Sequence, residues 1–323
     1  MNLTRIRIDP ALVTYAALLL AFWLGVRHSP LAATLAGLLP WAFLAFALLL
    51  SPLWLFGFGA GEWLRERCKS RVLRMGLGAL LGLPCLALAI PGGYLRWSLL
   101  VAMFGLPVVL AALLEFSSPG ARLAWQDAVV LGVLVAVYMS HLLAGAWPYS
   151  GLGGFSKLYI ADLALYLYVV VRRLEGMGYS LRPQLSAIAT GLREWLYFVP
   201  FGIGLGLALH FIHFHDGWPS AARAAGILLV TFVWIAIPEE MFFRGILQNL
   251  LETRLGRNRA LLATSLLFGL AHFNKGAVFN WRYVLLAAIA GVFYGRAWRQ
   301  RRQILASTIT HTAVDVVWAL WFR

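Results

Sequence analysis

Long apolar stretches alternate along the chain with short connections that are rich in arginine. A helix needs about 20 apolar residues to cross the hydrocarbon core of a bilayer, and most of these stretches approach that length. The apolar runs cover residues 11–27, 31–58, 75–92, 98–116, 126–146, 158–171, 194–214, 222–243, 260–273, 283–298 and 303–321. The pattern therefore predicts an all-α fold, a polytopic transmembrane helical bundle with about eleven spans.

The basic residues in the connections indicate how this bundle is oriented. They form four clusters: Arg65, Arg67, Lys69, Arg71 and Arg74; Arg172, Arg173, Arg182 and Arg193; Arg254, Arg257 and Arg259; and Arg296, Arg299, Arg301 and Arg302. Four, two and two apolar runs separate successive clusters, and these even numbers allow every cluster to lie on one side of the membrane. Because Lys and Arg are enriched in cytoplasmic loops, we expect a cytoplasmic N-terminus and an external C-terminus.

Composition supports a membrane protein and argues against a soluble domain. Hydrophobic residues make up 61% of the chain and charged residues only 12%, whereas a soluble domain is about half apolar and about a quarter charged. The enrichment of Lys and Arg in cytoplasmic loops explains the formal net charge of +14. No nucleic-acid partner is therefore expected. The lipid bilayer is the expected environment, and the sequence leaves the oligomeric state open.

One segment has the composition of a linker and divides the chain. Residues 176–193 contain Gly176, Gly178 and Pro183 together with several polar and basic residues. We therefore expect an N-terminal transmembrane bundle of unknown role over residues 1–175. The C-terminal transmembrane domain over residues 194–323 then holds every motif described below.

Two adjacent carboxylates inside a predicted span are the most informative feature of the chain. Glu239 and Glu240 follow Pro238, and Arg244 comes one helical turn later. A lone charge buried in a membrane costs several kcal/mol, with estimates from about 3 to above 10, so such residues are retained mainly for function. Residues four apart share a helix face, so Glu240 is expected to pair with Arg244, whereas Glu239 is rotated by about 100°. A desolvated carboxylate outside that pair suits a general base, and Pro238 loosens the backbone just before it.

Two histidines on later spans extend this polar set. Phe268 precedes His272 by four residues, which gives the imidazole a packed aromatic neighbour. The same step places Asp315 beside His311, where a carboxylate can fix the tautomer and orientation of the ring. At about 1.5 Å per residue, Glu239 and the two histidines lie at similar depths in the cytoplasmic half of the core.

Each motif taken alone has a purely structural interpretation. Glu240 and Arg244 can form an ion pair at a helix end, and a single histidine in a span is more often a packing residue than a catalyst. The combination at matching depths favours a functional site. The segment 210–216, with three histidines and Asp216, has the density of ligands of a metal site. It lies at the external end of a span, where an interfacial polar cap is the favoured interpretation.

The three motifs, in this order, resemble those of a known family. Glu239-Glu240-x-x-x-Arg244, Phe268-x-x-x-His272 and His311-x-x-x-Asp315 are similar to the motifs of the CPBP family. That family comprises the CAAX-processing type II prenyl endopeptidases and bacterial relatives, including bacteriocin-immunity-type proteins. The resemblance covers about a third of the chain, residues 220–320, and leaves the N-terminal half unmatched. It implies an integral membrane protein, and we expect a bacterial cytoplasmic membrane.

The activity implied by the resemblance is that of a glutamic-type intramembrane endopeptidase acting on a membrane-associated or lipidated protein. In such enzymes the first Glu of the pair and the second-motif His activate a water, here Glu239 and His272. The third-motif pair, here His311 and Asp315, would support the oxyanion or the geometry of the site. Prenyl-protein enzymes commonly have Asn at the last position. Because an ionised Asp cannot donate a hydrogen bond, we expect Asp315 to orient His311.

The resemblance also implies supporting residues and a metal-free site. Glu240, Arg244 and Phe268 are expected to support the catalytic residues. No cofactor is expected, and the HExxH pair of zinc proteases does not occur in the sequence. Two histidines and two carboxylates are nevertheless suitable zinc ligands, so ligation by His272 and His311 stays an open alternative.

Two other function classes remain as alternatives. A proton-coupled secondary transporter also buries carboxylates and histidines, although it would usually distribute them over two related halves of the chain. A catalytically silent immunity or scaffold protein is the other alternative, and the intact Glu239, His272 and His311 argue against it.

Overall fold

The structure is a computed structural model that describes residues 8–117, 122–215, 217–273 and 279–322. Asp216, part of the histidine-rich segment considered above as a metal site, lies outside the described residues. Within the described ranges the chain is helical and forms no β-strand, apart from an isolated antiparallel bridge between Phe214 and Phe322. The predicted all-α helical bundle is confirmed. The chain divides into two compact units, Met1–Glu175 and Gly176–Arg323.

The N-terminal unit contains seven described helices. They are α1 (Ile8–Arg27), α2 (Pro30–Phe56), α3 (Ala60–Arg67), α4 (Arg71–Ala89), α5 (Trp97–Glu115), α6 (Trp125–Met139) and α7 (Gly154–Val171). Helix α2 packs against α4 and α7, and α5 packs against α4 and α6. Leucine, alanine and aromatic side chains fill the space between these helices, as expected for runs that are apolar on every face.

Buried charges in the N-terminal unit have structural partners. Arg172 lies 3.0 Å from Asp127 at the ends of α7 and α6. Asp162, which lies well inside the predicted span 158–171 and belongs to no motif, accepts a hydrogen bond from the backbone of Leu53. Leu53 follows Pro52, which interrupts the hydrogen-bond ladder of α2. These contacts give Arg172, Asp127 and Asp162 a structural explanation, as an ion pair and a hydrogen bond. Neither contact points to a chemical function for this unit.

The C-terminal unit contains five described helices around the motifs. They are α8 (Leu185–Ala208), α9 (Ala221–Leu255), α10 (Arg257–Leu270), α11 (Trp281–Arg301) and α12 (Ile304–Trp321). Helix α11 packs against α8, α10 and α12, and α8 also packs against α12. Two glycines permit close contacts between these helices. A Cβ at Gly269 on α10 would lie 2.5 Å from the carbonyl oxygen of Val284, and one at Gly191 on α8 would lie 2.6 Å from that of Ala306.

The segment with linker composition, residues 176–193, packs against the helices of the C-terminal unit and is part of that unit. Helix α8 already begins at Leu185, inside the predicted range 176–193. Before it, the indole of Trp298 donates to the carbonyl of Met177 over 3.1 Å. The backbone of Ile304 donates to the carbonyl of Gly178 over 2.8 Å. Gly178 has a φ of +64°, and a Cβ there would overlap the backbone of the opposing helix end, so the close approach requires glycine.

Helix α9 is irregular where it carries the two carboxylates. Two π-helical segments, Thr231–Ala236 and Met241–Gln248, flank a short α-helical turn over Ile237–Glu240. Pro238 has no backbone N–H and cannot continue the regular ladder, as its position in the sequence predicts. Wide π turns inside helices are frequent at functional sites. Here they place Glu239 and Glu240 in a locally distorted stretch of an otherwise continuous helix.

The described helices include seven that are long and apolar enough to cross a membrane. They are α1, α2, α4, α5, α7, α9 and α12, and they identify the chain as an integral membrane protein. The predicted number of eleven spans is not confirmed. The remaining four runs are helical as well, but α6 and α10 are short, with 15 and 14 residues. The other two, α8 and α11, include charged residues such as Glu194 and Arg296.

Candidate active site

His311 on α12 lies at the centre of the polar cluster. Its Nδ1 is 2.8 Å from Oε1 of Glu240. Its Nε2 is 3.4 Å from Oδ2 of Asp315 and 3.8 Å from Oε2 of Glu239. The contact with Asp315 confirms the expectation from their four-residue spacing. The two glutamate contacts connect α12 to α9, so His311 joins the first and third motifs.

Glu240 and Arg244 form the ion pair that their spacing predicts. Nη1 of Arg244 donates to Oε1 of Glu240 over 3.2 Å, and Nη2 donates to the backbone carbonyl of Gly291 over 3.1 Å. Both side chains are fully buried. A Cβ at position 291 would lie 3.3 Å from that Nη2, so glycine permits the close approach. Arg244 thus links α9 to α11 and fixes the position of the Glu240 carboxylate, which contacts His311.

Two aromatic rings frame the histidine and the arginine. Tyr294 on α11 stacks on the imidazole of His311, with centroids 4.6 Å apart and planes at 15°. Phe268 on α10 meets the same imidazole edge-on, at 5.7 Å and 89°. The guanidinium of Arg244 lies 4.5 Å from the centroid of Phe268 and 5.2 Å from that of Tyr294. These contacts restrict rotation of the imidazole and stabilise the buried cation on aromatic faces.

His272, at the C-terminal end of α10, has a defined ring orientation. Its Nδ1 lies 2.8 Å from the carbonyl oxygen of Phe268. A carbonyl only accepts hydrogen bonds, so Nδ1 donates, and in the neutral ring Nε2 is then an acceptor. The rings of Phe268 and Tyr283 lie 4.9 and 5.0 Å from the imidazole. The predicted contact with Phe268 is present, and Nε2 of the neutral ring can accept a hydrogen bond.

One cavity collects the four residues predicted to be catalytic. It lies within the C-terminal unit and is partly open to the surface. Glu239, His272, His311 and Asp315 all line it. Most of the remaining lining is aliphatic or aromatic and includes Phe198 on α8 and Trp318 on α12. The site is therefore a small polar cluster in the wall of an apolar chamber.

Accessibility separates the two adjacent glutamates. The side chain of Glu239 is 15% exposed and that of Asp315 is 27% exposed, whereas Glu240 is completely buried. Glu240 is tied to Arg244 and His311, so it stabilises the arrangement behind the cavity wall. Of the carboxylates that the sequence pairs, Glu239 is the one that can meet water or a substrate.

Sequence reasoning missed two tyrosines of the site. Tyr283 and Tyr294 both line the cavity and contact His272 and His311, respectively. They lie eleven residues apart on α11, about three turns, and therefore on one face of the helix. The signal was present in the sequence, because a tyrosine within an apolar run must satisfy its hydroxyl and often marks a polar surface.

The candidate metal ligands do not form a metal-binding group in the described part of the chain. No group of three or more His, Cys, Asp or Glu side chains among the described residues is arranged to hold a metal ion. In the histidine-rich connection after α8, the rings of His210 and His213 stack with centroids 6.4 Å apart.

Comparison with known families supports the resemblance in the C-terminal unit. Residues 219–317 match the family model described as Rce1-like, type II CAAX prenyl endopeptidase Rce1-like. The matched segment contains all three motifs, so the predicted resemblance to this family is confirmed over residues 219–317. At the level of the family, the match supports an intramembrane protease of the CAAX type. No curated protein and no solved structure matches the chain.

Proposed function

We propose that this protein is an intramembrane endopeptidase that hydrolyses a peptide bond of a membrane-associated protein, with Glu239 and His272 activating the attacking water. The observation that carries this proposal is the position of these two side chains in the wall of one apolar cavity. Glu239 is the accessible member of the carboxylate pair, and the Nδ1 contact of His272 makes its Nε2 an acceptor. The family match of residues 219–317 supports the same class of reaction.

The proposed reaction is a simple hydrolysis with Glu239 as general base. A lone pair of the water oxygen forms the bond to the carbonyl carbon, while the π electrons of the carbonyl move onto its oxygen. Glu239 takes one water proton, and Nε2 of His272 orients the water by accepting a hydrogen bond from its other proton. When the intermediate collapses, the C=O bond re-forms and the C–N bond breaks. The proton held by Glu239 then passes to the leaving nitrogen, which gives a carboxylic acid and an amine.

The remaining polar residues are proposed to hold the geometry. Asp315 lies next to Nε2 of His311 and fixes the orientation of the ring. Glu240 does the same at Nδ1, and Arg244 balances its charge. A catalytic constellation is effective only when its members are held within a fraction of an ångström, which fully buried partners achieve.

The proposal needs no metal ion. A metal-binding histidine must present an unprotonated nitrogen to the metal. In His311 both ring nitrogens face carboxylate oxygens, and Nδ1 of His272 donates to the carbonyl of Phe268. Zinc ligation would require His311 to exchange at least one of these contacts for the metal, whereas hydrolysis with Glu239 as base uses the arrangement as it stands.

Two substrate classes fit a membrane-embedded apolar cavity. One is a prenylated CAAX peptide, and the other is a bacterial protein with a C-terminal membrane or sorting segment. We favour the second, because the N-terminal unit presents large apolar side chains such as Trp97 and Val101 on its surface, where a substrate helix can pack in the bilayer. A substrate that is cleaved far from any membrane segment would contradict this preference.

We further propose a bacterial cytoplasmic membrane and a cytoplasmic N-terminus, which places all four arginine clusters on the cytoplasmic side. Alkaline phosphatase is active only outside the cytoplasm, so fusions report the side of each connection. A fusion after residue 175 should be inactive, and one in the connection 209–220 should be active. The reverse pattern would show that the orientation is wrong.

The proposed activity can be tested without knowing the substrate. Membrane fractions from a bacterial host expressing the wild-type protein or Glu239→Ala at equal levels are compared by mass spectrometry of protein N-termini. New N-termini that lie near membrane segments should appear with the wild type and be lost with the variant. If no N-terminus depends on Glu239, the protein is not an endopeptidase of this kind, and a transporter or a silent scaffold gains support.

A further inference from the structure

Two arginine clusters that are separate in the sequence meet at one end of the C-terminal unit. Arg299, in the last turn of α11, donates from Nη1 to the carbonyl oxygen of Arg257 over 3.3 Å, although 42 positions separate the two residues. The same Nη1 donates to Oδ1 of Asn258 over 2.9 Å, at the start of α10. The guanidinium of Arg299 also lies within electrostatic range of Arg296 and Arg302. These four arginines form a basic patch shared by the ends of α10 and α11.

Acidic side chains neutralise only part of the basic patch. Arg296 and Arg302 each form an ion pair with a glutamate. No carboxylate among the described residues lies within ion-pair distance of Arg257 or Arg299. Like charges that lie close together repel one another, and an anion placed between them removes this cost. The two arginines without a carboxylate therefore favour an anionic ligand.

Both arginines can reach such a ligand. The side chain of Arg257 is exposed, and that of Arg299 is half-buried. A guanidinium carries five N–H donors, and the two contacts of Arg299 with the start of α10 use only those of Nη1. The same contacts hold the Arg299 guanidinium next to the first residue of α10, so the positive charge of the site is fixed in place before a ligand binds.

The basic patch lies at the level where a membrane span begins. Helix α12 is one of the helices that are long and apolar enough to cross a membrane, and its 18 residues begin at Ile304. At about 1.5 Å per residue it is about 27 Å long, close to the thickness of the hydrocarbon core. Arg302 precedes its first residue by two positions and Arg299 by five. The patch is therefore expected at the level of the lipid headgroups.

An apolar stripe on α10 continues from the basic patch. Leu262, Leu266 and Leu270 are each more than half exposed. Their spacing of four residues places them on one face of the helix. The stripe begins five residues after Arg257 and runs along α10 away from the patch. A surface that is basic at one end and apolar along its length matches a molecule with a charged headgroup and hydrocarbon chains.

We propose that Arg257 and Arg299 bind the phosphate group of an anionic phospholipid, whose acyl chains pack along the exposed leucines of α10. Guanidinium groups match phosphate oxygens with paired N–H donors. Basic pockets between membrane helices bind anionic lipid headgroups by this chemistry. A phosphate held by both side chains connects the start of α10 to the end of α11 and stabilises the contact between these helices. The site is independent of peptide hydrolysis and adds a lipid ligand to the proposed function.

The test measures how added lipid changes the melting temperature of the purified protein in an uncharged detergent, after bound lipid has been removed. Phosphatidylglycerol is compared with phosphatidylcholine that has the same acyl chains, and inorganic phosphate is added in a third series. The variants are Arg257→Gln alone and Arg257→Gln combined with Arg299→Gln. Arg259→Gln is the matched control, because it removes the same charge from an exposed position of α10 two residues away.

A ligand that binds only the folded state raises the melting temperature according to its affinity. Phosphatidylglycerol should therefore stabilise the wild type and Arg259→Gln, whereas phosphatidylcholine and inorganic phosphate should not. The concentration of phosphatidylglycerol that gives half of the shift should rise about fivefold in Arg257→Gln and about 30-fold in the double variant. If the double variant does not fold, Arg257→Gln alone decides the result, because its side chain is exposed.

Three outcomes would overturn the proposal. Equal stabilisation by the two lipids would show that the headgroup charge is irrelevant. An equal loss of affinity in Arg257→Gln and Arg259→Gln would show diffuse attraction to the membrane surface in place of a site. A shift of the same size with inorganic phosphate alone would identify a soluble anion as the ligand. None of these measurements uses peptide cleavage, so failure of the lipid site and failure of the proposed function are distinguishable.

Discussion

Nδ1 of His311 and Oε1 of Glu240 lie 2.8 Å apart, although 71 positions separate the two residues in the sequence. This contact joins the helix that carries the carboxylate pair to the last helix of the chain. Arg244 contacts the same oxygen of Glu240. One buried carboxylate oxygen therefore connects an arginine and a histidine, and the stability of the site should depend on both contacts.

Removal of Arg244 should destabilise the protein. Arg244→Ala leaves Glu240 in a fully buried position without its cationic partner. Loss of one member of a buried ion pair typically costs about 3–5 kcal/mol, because the other charge stays desolvated. Thermal unfolding in detergent, followed by tryptophan fluorescence, should show a lower melting temperature and a lower folded yield. The exposed Arg259 on α10 supplies a control, since Arg259→Ala should change neither quantity.

The Arg244→Ala variant also distinguishes a structural role of Arg244 from a catalytic one. If Arg244→Ala is folded and as stable as the wild type but inactive, Arg244 acts on the substrate directly. The position of its guanidinium behind Glu240, between Phe268 and Tyr294, predicts the opposite result.

Asp315 should matter through its orientation of His311. Asp315→Asn keeps an oxygen that can accept from Nε2 of His311, whereas Asp315→Ala removes the contact. We expect Asp315→Asn to retain clearly more activity than Asp315→Ala, with a larger loss in kcat than in KM for the alanine variant. The difference is measured as the rate at which each purified variant cleaves a synthetic peptide, which spans a cleavage site found by the comparison of protein N-termini. Equal activity of the two variants would show that the contact with His311 is irrelevant.

Close packing of α10 on α11 should be sensitive to a single methyl group. A Cβ at Gly269 would lie 2.5 Å from the backbone oxygen of Val284, so Gly269→Ala must move one helix. Such overpacking costs about 1–3 kcal/mol, and the movement should also displace His272 and lower activity. A Cβ at Gly204 on α8 would meet no atom within 4 Å, so Gly204→Ala should be neutral or stabilise by about 0.5–1 kcal/mol. Equal melting temperatures for the two variants would refute the packing argument.

The local part of the site could be predicted from the sequence because helix geometry fixes which residues share a face. The pairs Glu240 with Arg244, and His311 with Asp315, are each four residues apart and are in contact. Similar depth in the membrane predicted that Glu239 and the histidines would meet, and they line one cavity. These inferences need only the rise and the turn of a helix.

Contacts between helices could not be predicted in the same way. Rotation of each helix about its axis decides that Glu240 faces His311 and that Arg244 reaches the carbonyl of Gly291. That rotation depends on side-chain packing over the whole unit. The predicted number of eleven spans is likewise not confirmed, because four of the helices, among them the 14-residue α10, lack the length or the composition of a membrane span.

Metal analysis tests whether the site works without a Lewis acid. Protein purified in an active form, without added metal, should contain far less than one zinc per chain, and chelators should leave its activity unchanged. The reason is that the ring nitrogens of His311 already contact Glu240 and Asp315. A catalytic zinc would need about three protein ligands at 2.0–2.2 Å. Stoichiometric zinc, whose removal abolishes activity and whose return restores it, would make His272 and His311 ligands instead.

The central claim is that Glu239 and His272 together activate water, and its most direct test is the rate of peptide cleavage by two single variants. Glu239→Gln keeps the size of the side chain and removes its basicity, and His272→Ala removes the acceptor nitrogen. Each should lower kcat by a factor of about 100 to 10,000 on the same synthetic peptide, with the melting temperature close to that of the wild type. Activity of both folded variants within a few-fold of the wild type would contradict the account.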